Sequence, residues 1–220
     1  MDQCPLCTLD DFQERIIFQN ESFIVASTRG QITDGGYALV IPRKHVKCLA
    51  EINDLDEQDR MADVIQLILL GLSREFQNLS DKISIFEHGI VGQTVSHAHL
   101  HILPADLSTI TDIIMGDFPG CNFNILRPSL DGEISPAMKL ALRYKREQKP
   151  YLFWSTGPSN DPKFYVCWNP PAPPQYLRIL AAKILNRPER ANWRTMDSEL
   201  DRRLYLETAQ RLRLYFQNPA

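Results

Sequence analysis

Apolar residues change their spacing several times along the chain, and each change marks an expected element. Phe12 to Phe18 is apolar at helical spacing and predicts a short helix. Phe23-Ile24-Val25-Ala26 predicts a strand. Asp34-Gly35-Gly36 signals a turn before a second strand, Tyr37 to Ile41, which Pro42 ends. Leu55, Met61, Val64, Ile65, Ile68, Leu69 and Leu72 recur by threes and fours. That pattern predicts a helix from about 54 to 78, capped by Asn53 or Asp54. Ile83 to Glu87 predicts a third strand, Gly89 to Gly92 a turn, and Ser96 to Leu103 a fourth strand that Pro104 closes.

Beyond about residue 105 the pattern is less regular. Tyr151 to Trp154 and Phe164 to Trp168 flank Gly157-Pro158-Ser159-Asn160-Asp161-Pro162 and predict a hairpin with a long loop. Arg143 to Lys149 reads as a solvated helix, and Pro174 to Leu185 and Met196 to Phe216 as two more. The run Asn169-Pro170-Pro171-Ala172-Pro173-Pro174 suits neither a helix nor a central strand, so it is expected to be a stiff connection. Strands that pair as hairpins, mixed with long helices, give an expected α+β fold around an antiparallel sheet.

Composition changes this picture little. The chain has 220 residues, 44% hydrophobic and 23% charged, an ordinary globular balance. A net charge of −3 excludes a strongly basic nucleic-acid footprint for the chain as a whole. No apolar run approaches the roughly 18–20 residues of a membrane span. Met1 to Cys7 does not follow the plan of a signal peptide, so a cytoplasmic location with no membrane or nucleic-acid partner is expected. Of the five cysteines, Cys48, Cys121 and Cys167 are scattered and read as unpaired thiols or small hydrophobes. Cys4 and Cys7 form a C-x-x-C knuckle, which supplies half the ligands of a tetrahedral zinc ion or, alternatively, a redox pair.

The remaining chemistry is concentrated in histidines. His88, His97, His99 and His101 fall close together, with His45 apart. Strand alternation puts His97, His99 and His101 on one face and Ala98, Leu100 and Ile102 on the other. Three imidazoles on one face can hold a catalytic metal with an open position. They can equally serve nucleophilic catalysis by one ring, with the others positioning and protonating. Gly92-Gln93-Thr94, just upstream, offers backbone N–H groups, an amide and a hydroxyl, which suit phosphate oxygens. Arg178 and Arg194 are bidentate donors available for a second phosphate or carboxylate, or else part of an exposed helix face. The aromatic residues of the later half, Tyr151, Phe153, Trp154, Tyr165, Trp168 and Tyr176, read mainly as core.

The segment His97-Ala98-His99-Leu100-His101-Ile102-Leu103-Pro104 resembles the signature of the histidine triad (HIT) superfamily. Gly92-Gln93-Thr94-Val95 resembles that family's phosphate-binding approach, and Tyr37 to His45 its second strand with the basic Pro-Arg-Lys-His end. The resemblance covers roughly residues 4 to 104. It implies a HIT-like catalytic domain over residues 1–105, with residues 106–220 as a mixed C-terminal extension packed on it.

The resemblance also implies a mechanism. His99 would attack the α-phosphorus of a nucleotidyl substrate and form a nucleotidyl-histidine, which water, phosphate or a sugar phosphate then relieves. His101 would contact the phosphate or leaving group, and Gln93 and Thr94 would hold phosphate oxygens. Zinc-bearing members join a C-x-x-C to two histidines, which maps onto Cys4, Cys7, His45 and His97 as a structural zinc site. Glu87 is expected to bind a substrate hydroxyl or cationic group, with His88 beside it as an extra acid. Arg29 stands where many members carry a ribose-binding acidic residue. The expected partner is a small nucleotide substrate such as a dinucleoside polyphosphate, and relatives of the fold suggest a homodimer. The rival readings are transfer to a sugar phosphate, a catalytic metal on the triad, and a nucleotide-binding protein without turnover.

Overall fold

A computed structural model describes residues 4–9, 12–80, 82–127, 134–156 and 162–217. Helix α1 is a single turn, Pro5–Thr8. Strand β1 (Ile16–Gln19) follows a 3₁₀ turn, and β2 (Phe23–Ser27) and β3 (Ala38–Pro42) come next. Helix α2 (Leu55–Glu75) precedes β4 (Ser84–Gly89) and β5 (Leu100–Leu103). The rest of the chain adds α3 (Ile110–Asp117), β6 (Asn122–Leu126), α4 (Pro136–Glu147), β7 (Tyr151–Thr156), β8 (Lys163–Trp168), α5 (Tyr176–Ile184) and α6 (Ser198–Gln217).

All eight strands join one sheet in the order β1-β2-β3-β5-β4-β7-β8-β6. Every neighbouring pair is antiparallel, so the fold is α+β as the strand pattern implied. The strands after residue 105 do not form a separate layer. β7 pairs with β4, setting Glu87 opposite Phe153 and His88 opposite Leu152. Among the described residues, no helix is long and apolar enough to cross a membrane.

The two faces of the sheet divide the side chains by parity. On one face Phe23, Val25, Val40, Leu100 and Ile102 pack against Met61, Val64, Ile68 and Leu72 of α2 and against Ala209 and Leu212 of α6. Helix α2 exists for the reason its spacing suggested: its apolar stripe is buried, and the Asp54 side chain caps it by accepting from Glu57 N–H at 2.9 Å. On the other face Tyr37, Phe86, Leu103, Leu152 and Trp154 pack against α3 and α5. The triad histidines sit at the border of this second layer.

Several expectations change. Residues 12–18 are not one helix: Gln13–Arg15 make a 3₁₀ turn, and the β-branched Ile16-Ile17 pair starts β1, with Ile16 opposite Ala26. The fourth strand begins at Leu100, because the backbone before it turns to other partners. Ala98 N–H donates to Val46 O at 2.7 Å and His97 N–H to Val95 O at 2.8 Å. Cys121 and Cys167 are not unpaired thiols but are joined in a disulfide, brought together because Phe123 pairs with Cys167 across β6 and β8. The loop expected at 157–162 lies outside the described residues, Pro162 excepted.

Candidate active site

His99 stands in the run just ahead of β5, half-buried at the floor of a cleft of about 170 Å³. Its Nδ1 lies 2.7 Å from the His97 carbonyl oxygen. A carbonyl only accepts, so Nδ1 carries the hydrogen and Nε2 keeps a bare lone pair. Burial lowers the ring's pKa, which favours the neutral, nucleophilic form. His101, on β5, stacks on Phe86 with centroids 4.5 Å apart, and its Nδ1 shares a 2.7 Å hydrogen bond with the Tyr37 hydroxyl. Burial pushes the Tyr37 phenol up to about 12, so it remains protonated at neutral pH. Burial also holds His101 well below the ordinary imidazole value, and its Nε2 is buried with no partner among the described residues. The His99 and His101 rings stand 4.8 Å apart.

His97 is turned away from the other two. Its Nε2 donates to Pro42 O at 2.8 Å, which leaves Nδ1 as an acceptor. That nitrogen lies 3.5 Å from Cys4 Sγ and 3.4 Å from Cys7 Sγ, and Cys7 Sγ lies 3.2 Å from His45 Nδ1. The ligand atoms of Cys4, Cys7, His45 and His97 all lie within 4.8 Å of one another. Two thiols and two imidazole nitrogens at these separations suit one tetrahedral ion, and the Pro42 bond presets the His97 tautomer for it. The triad is therefore split. Its first member belongs to a Cys/His cluster that could hold a metal ion, and the three rings do not converge on one point.

The approach to the triad is held from both halves of the chain. Gln93 and Thr94 line the cleft, and Gln93 is fixed by a bond from its Nε2 to Lys47 O at 2.8 Å. Gly92 has φ +74°, and a Cβ there would meet Pro173 O at 2.8 Å, so only glycine fits. The same glycine's carbonyl accepts from Gln175 N–H at 2.7 Å. The proline-rich connection thus lies against the loop and brings the start of α5 to the cleft. His88 lines this wall. Its Nε2 accepts from Leu177 N–H at 3.0 Å, and burial drives its pKa down to about 3.

The expected role of Glu87 does not fit its position. It is fully buried on the α2 face of β4, away from the triad cleft, because it alternates with His88. Leu49 N–H and the Tyr151 hydroxyl each donate to it at 2.7 Å. Arg178 is likewise no exposed helix residue. It is 4% exposed and donates to the carbonyls of Gly30, Ala191 and Arg190. Arg194 lies over the Trp193 ring. Asp34 is paired with Arg187 at 2.6 Å and Arg190 at 2.8 Å. Arg15, Arg29, Gln175 and Trp193 also line the cleft. Of these only Arg29 drew attention in the sequence, since no local spacing links the others to the triad. Tyr151, Trp154 and Trp168 are core, as expected.

Residues 11–107 match the family model described as the HIT domain. Solved structures similar to the chain include a hypothetical histidine triad nucleotide-binding protein from Sulfolobus tokodaii. It is 25% identical with a TM-score of 0.41, over 46% of this chain and 68% of that one. A Hit-like protein involved in cell-cycle regulation from Bartonella henselae is 24% identical with a TM-score of 0.39, over 46% and 74%. A DUF4931 family protein from Bacillus cereus is 14% identical with a TM-score of 0.46, over 92% of this chain and 100% of that one. No curated protein sequence matches the chain.

Proposed function

We propose that the protein, whose residues 11–107 match the family model described as the HIT domain, hydrolyses or transfers nucleotidyl groups by covalent catalysis at His99. The observation that carries this reading is the His99 tautomer. Its Nδ1–H is held by the His97 carbonyl, so the Nε2 lone pair is the one free to attack. In the first step the Nε2–P bond forms and the bond from the α-phosphorus to the leaving group breaks, the departing atom taking a proton. The positive charge that develops on the His99 ring is stabilised at Nδ1–H by the His97 carbonyl dipole. In the second step an acceptor oxygen attacks phosphorus and gives up its proton, while the P–Nε2 bond breaks, returns its electron pair to Nε2 and restores neutral His99. His101 lies beside the reacting ring, and with the Tyr37 hydroxyl donating to its Nδ1 it offers Nε2–H to a phosphoryl oxygen. Gln93 and Thr94 border the same space, where they would hold phosphate oxygens.

Residues 1–105 would then supply the chemistry and residues 106–220 the far wall of the cleft. A zinc ion held by Cys4, Cys7, His45 and His97 would be structural, since four protein ligands leave no open position. It would fix His97, and through the His97 carbonyl it would fix His99. The substrate class to try first is a dinucleoside polyphosphate or another nucleoside diphosphate derivative, with water as acceptor. A sugar phosphate or inorganic phosphate is the alternative acceptor.

The test is turnover of a panel of such compounds by wild type and by His99→Ala. The variant should keep the wild-type melting temperature and lose at least about 1,000-fold in kcat/KM. A folded His99→Ala protein with near-wild-type turnover would contradict the mechanism.

A further inference from the structure

We propose that His88 is a substrate-binding residue whose Nδ1–H donates to a phosphoryl oxygen, held in that tautomer by Leu177 of α5. The proposal rests on the nucleotidyl chemistry assigned to the site and adds a residue from its far wall. A backbone N–H can only donate, so the 3.0 Å contact from Leu177 N to His88 Nε2 makes Nε2 the acceptor. The hydrogen of the neutral ring is therefore on Nδ1. Protonating Nε2 would set two N–H groups against each other at the N-terminal end of a helix, where a further positive charge is disfavoured.

The opposite edge of the ring is the one left for a ligand. Gly92 packs on the Cδ2 and Nε2 edge, since a Cβ built on it would stand 3.0 Å from Cδ2. Phe86 and His101 meet the ring edge-on, at 88° and 84°. His88 is 4% exposed, lines the cleft, and has no partner at Nδ1 among the described residues. A nearly buried donor on a ring that lines the cleft, held in one neutral tautomer, calls for an acceptor on the ligand. Beside His99 that acceptor is an oxygen of the phosphoryl group or of the group leaving it. The consequence is that α5, outside the residues that match the domain, sets the donor pattern of the active site.

Two substitutions separate this role from a structural one. In His88→Gln the amide can reach the Nε2 position and keep the Leu177 bond, but nothing donates from the Nδ1 position. In His88→Asn the amide N–H₂ replaces the Nδ1 donor and the Leu177 bond is lost. The proposal predicts that His88→Gln melts like wild type and loses about 10–100-fold in kcat/KM, whereas His88→Asn melts lower and retains more activity than the Gln variant. A purely structural His88 gives the reverse order, which would overturn the proposal. Nitrogen-15 NMR of the histidine rings gives a second arm, with AMP as the probe. His88 should carry its hydrogen on Nδ1 without titrating from pH 5 to 8, and that N–H should move when AMP is added. A His88 protonated on Nε2, or one unmoved by AMP that does shift His99, overturns the assignment while leaving the His99 reading intact. No response at either ring, with no turnover by wild type, overturns both.

Discussion

Glu87 is a carboxyl enclosed by the sheet and α2, with Leu49 N–H and the Tyr151 hydroxyl as its donors. Burial pushes its pKa up to about 7 from an ordinary 4.5. Between those values the unfolded chain has given up the proton that the folded protein keeps, so stability falls as pH rises from about 4.5 to about 7 and levels off above. Glu87→Gln removes the ionisation and leaves groups that can accept from Leu49 N–H and share a bond with Tyr151. Measured by urea unfolding, the Gln variant should gain on wild type by up to about 3 kcal/mol between pH 4.5 and 7.5. Parallel stability curves for the two proteins would contradict this. Glu87 and His88 also show what residue type alone conveys. Both are polar and adjacent, and either could serve a substrate. Their roles are decided by alternation along β4, which sends one to the α2 face and one to the cleft. A one-residue error in strand register, which sequence tolerates easily, exchanges their assignments.

Among elements, the cluster of Cys4, Cys7, His45 and His97, which could hold a metal ion, joins pieces that are otherwise weakly anchored. Helix α1 is four residues long and buries only Leu6, too little to hold its position alone. Cys4 and Cys7 attach it to His45, beyond β3, and to His97, ahead of β5. If an ion is bound there as proposed, removing it should loosen α1 and the triad approach together, while the sheet persists. Cys7→Ser, or exhaustive chelation, should lower the melting temperature by roughly 6–12 °C, corresponding to about 3 kcal/mol. Metal analysis should find one ion per chain in wild type. A chain that binds no metal and melts identically with and without chelator would contradict the assignment. The C-x-x-C and the alternating histidines made this cluster legible, because ligand spacing is local. The elements that sequence missed are those whose cause is distant. β6 has a half-exposed, polar-interrupted pattern and becomes a strand because β8 pairs with it. β1 resembles a helix until β2 supplies its partner.

At the scale of the molecule, the sheet explains why the later half resisted reading. Its antiparallel character and strands β2 to β5 followed from periodicity and turn residues. That β7, β8 and β6 would continue the same sheet through the edge of β4 is a long-range choice no window of sequence contains. The same continuation places the start of α5 against Gly92 and His88, so the cleft is complete only when both halves are present. The proposed nucleophile was legible, since His99 stands in a motif of fixed spacing. The wall facing it was not, since Gln175, Trp193 and Leu177 are linked to the triad by folding alone.

The measurement that bears most directly on the account is the intact mass of the protein after brief mixing with nucleotidyl compounds, quenched in mild base, where a phosphoramidate survives. Covalent catalysis at His99 predicts a gain of one nucleotidyl unit in wild type, located at His99 by peptide mapping and absent from His99→Ala. Substrate consumed with no such adduct at the shortest mixing times, or an adduct that persists in His99→Ala, would contradict it.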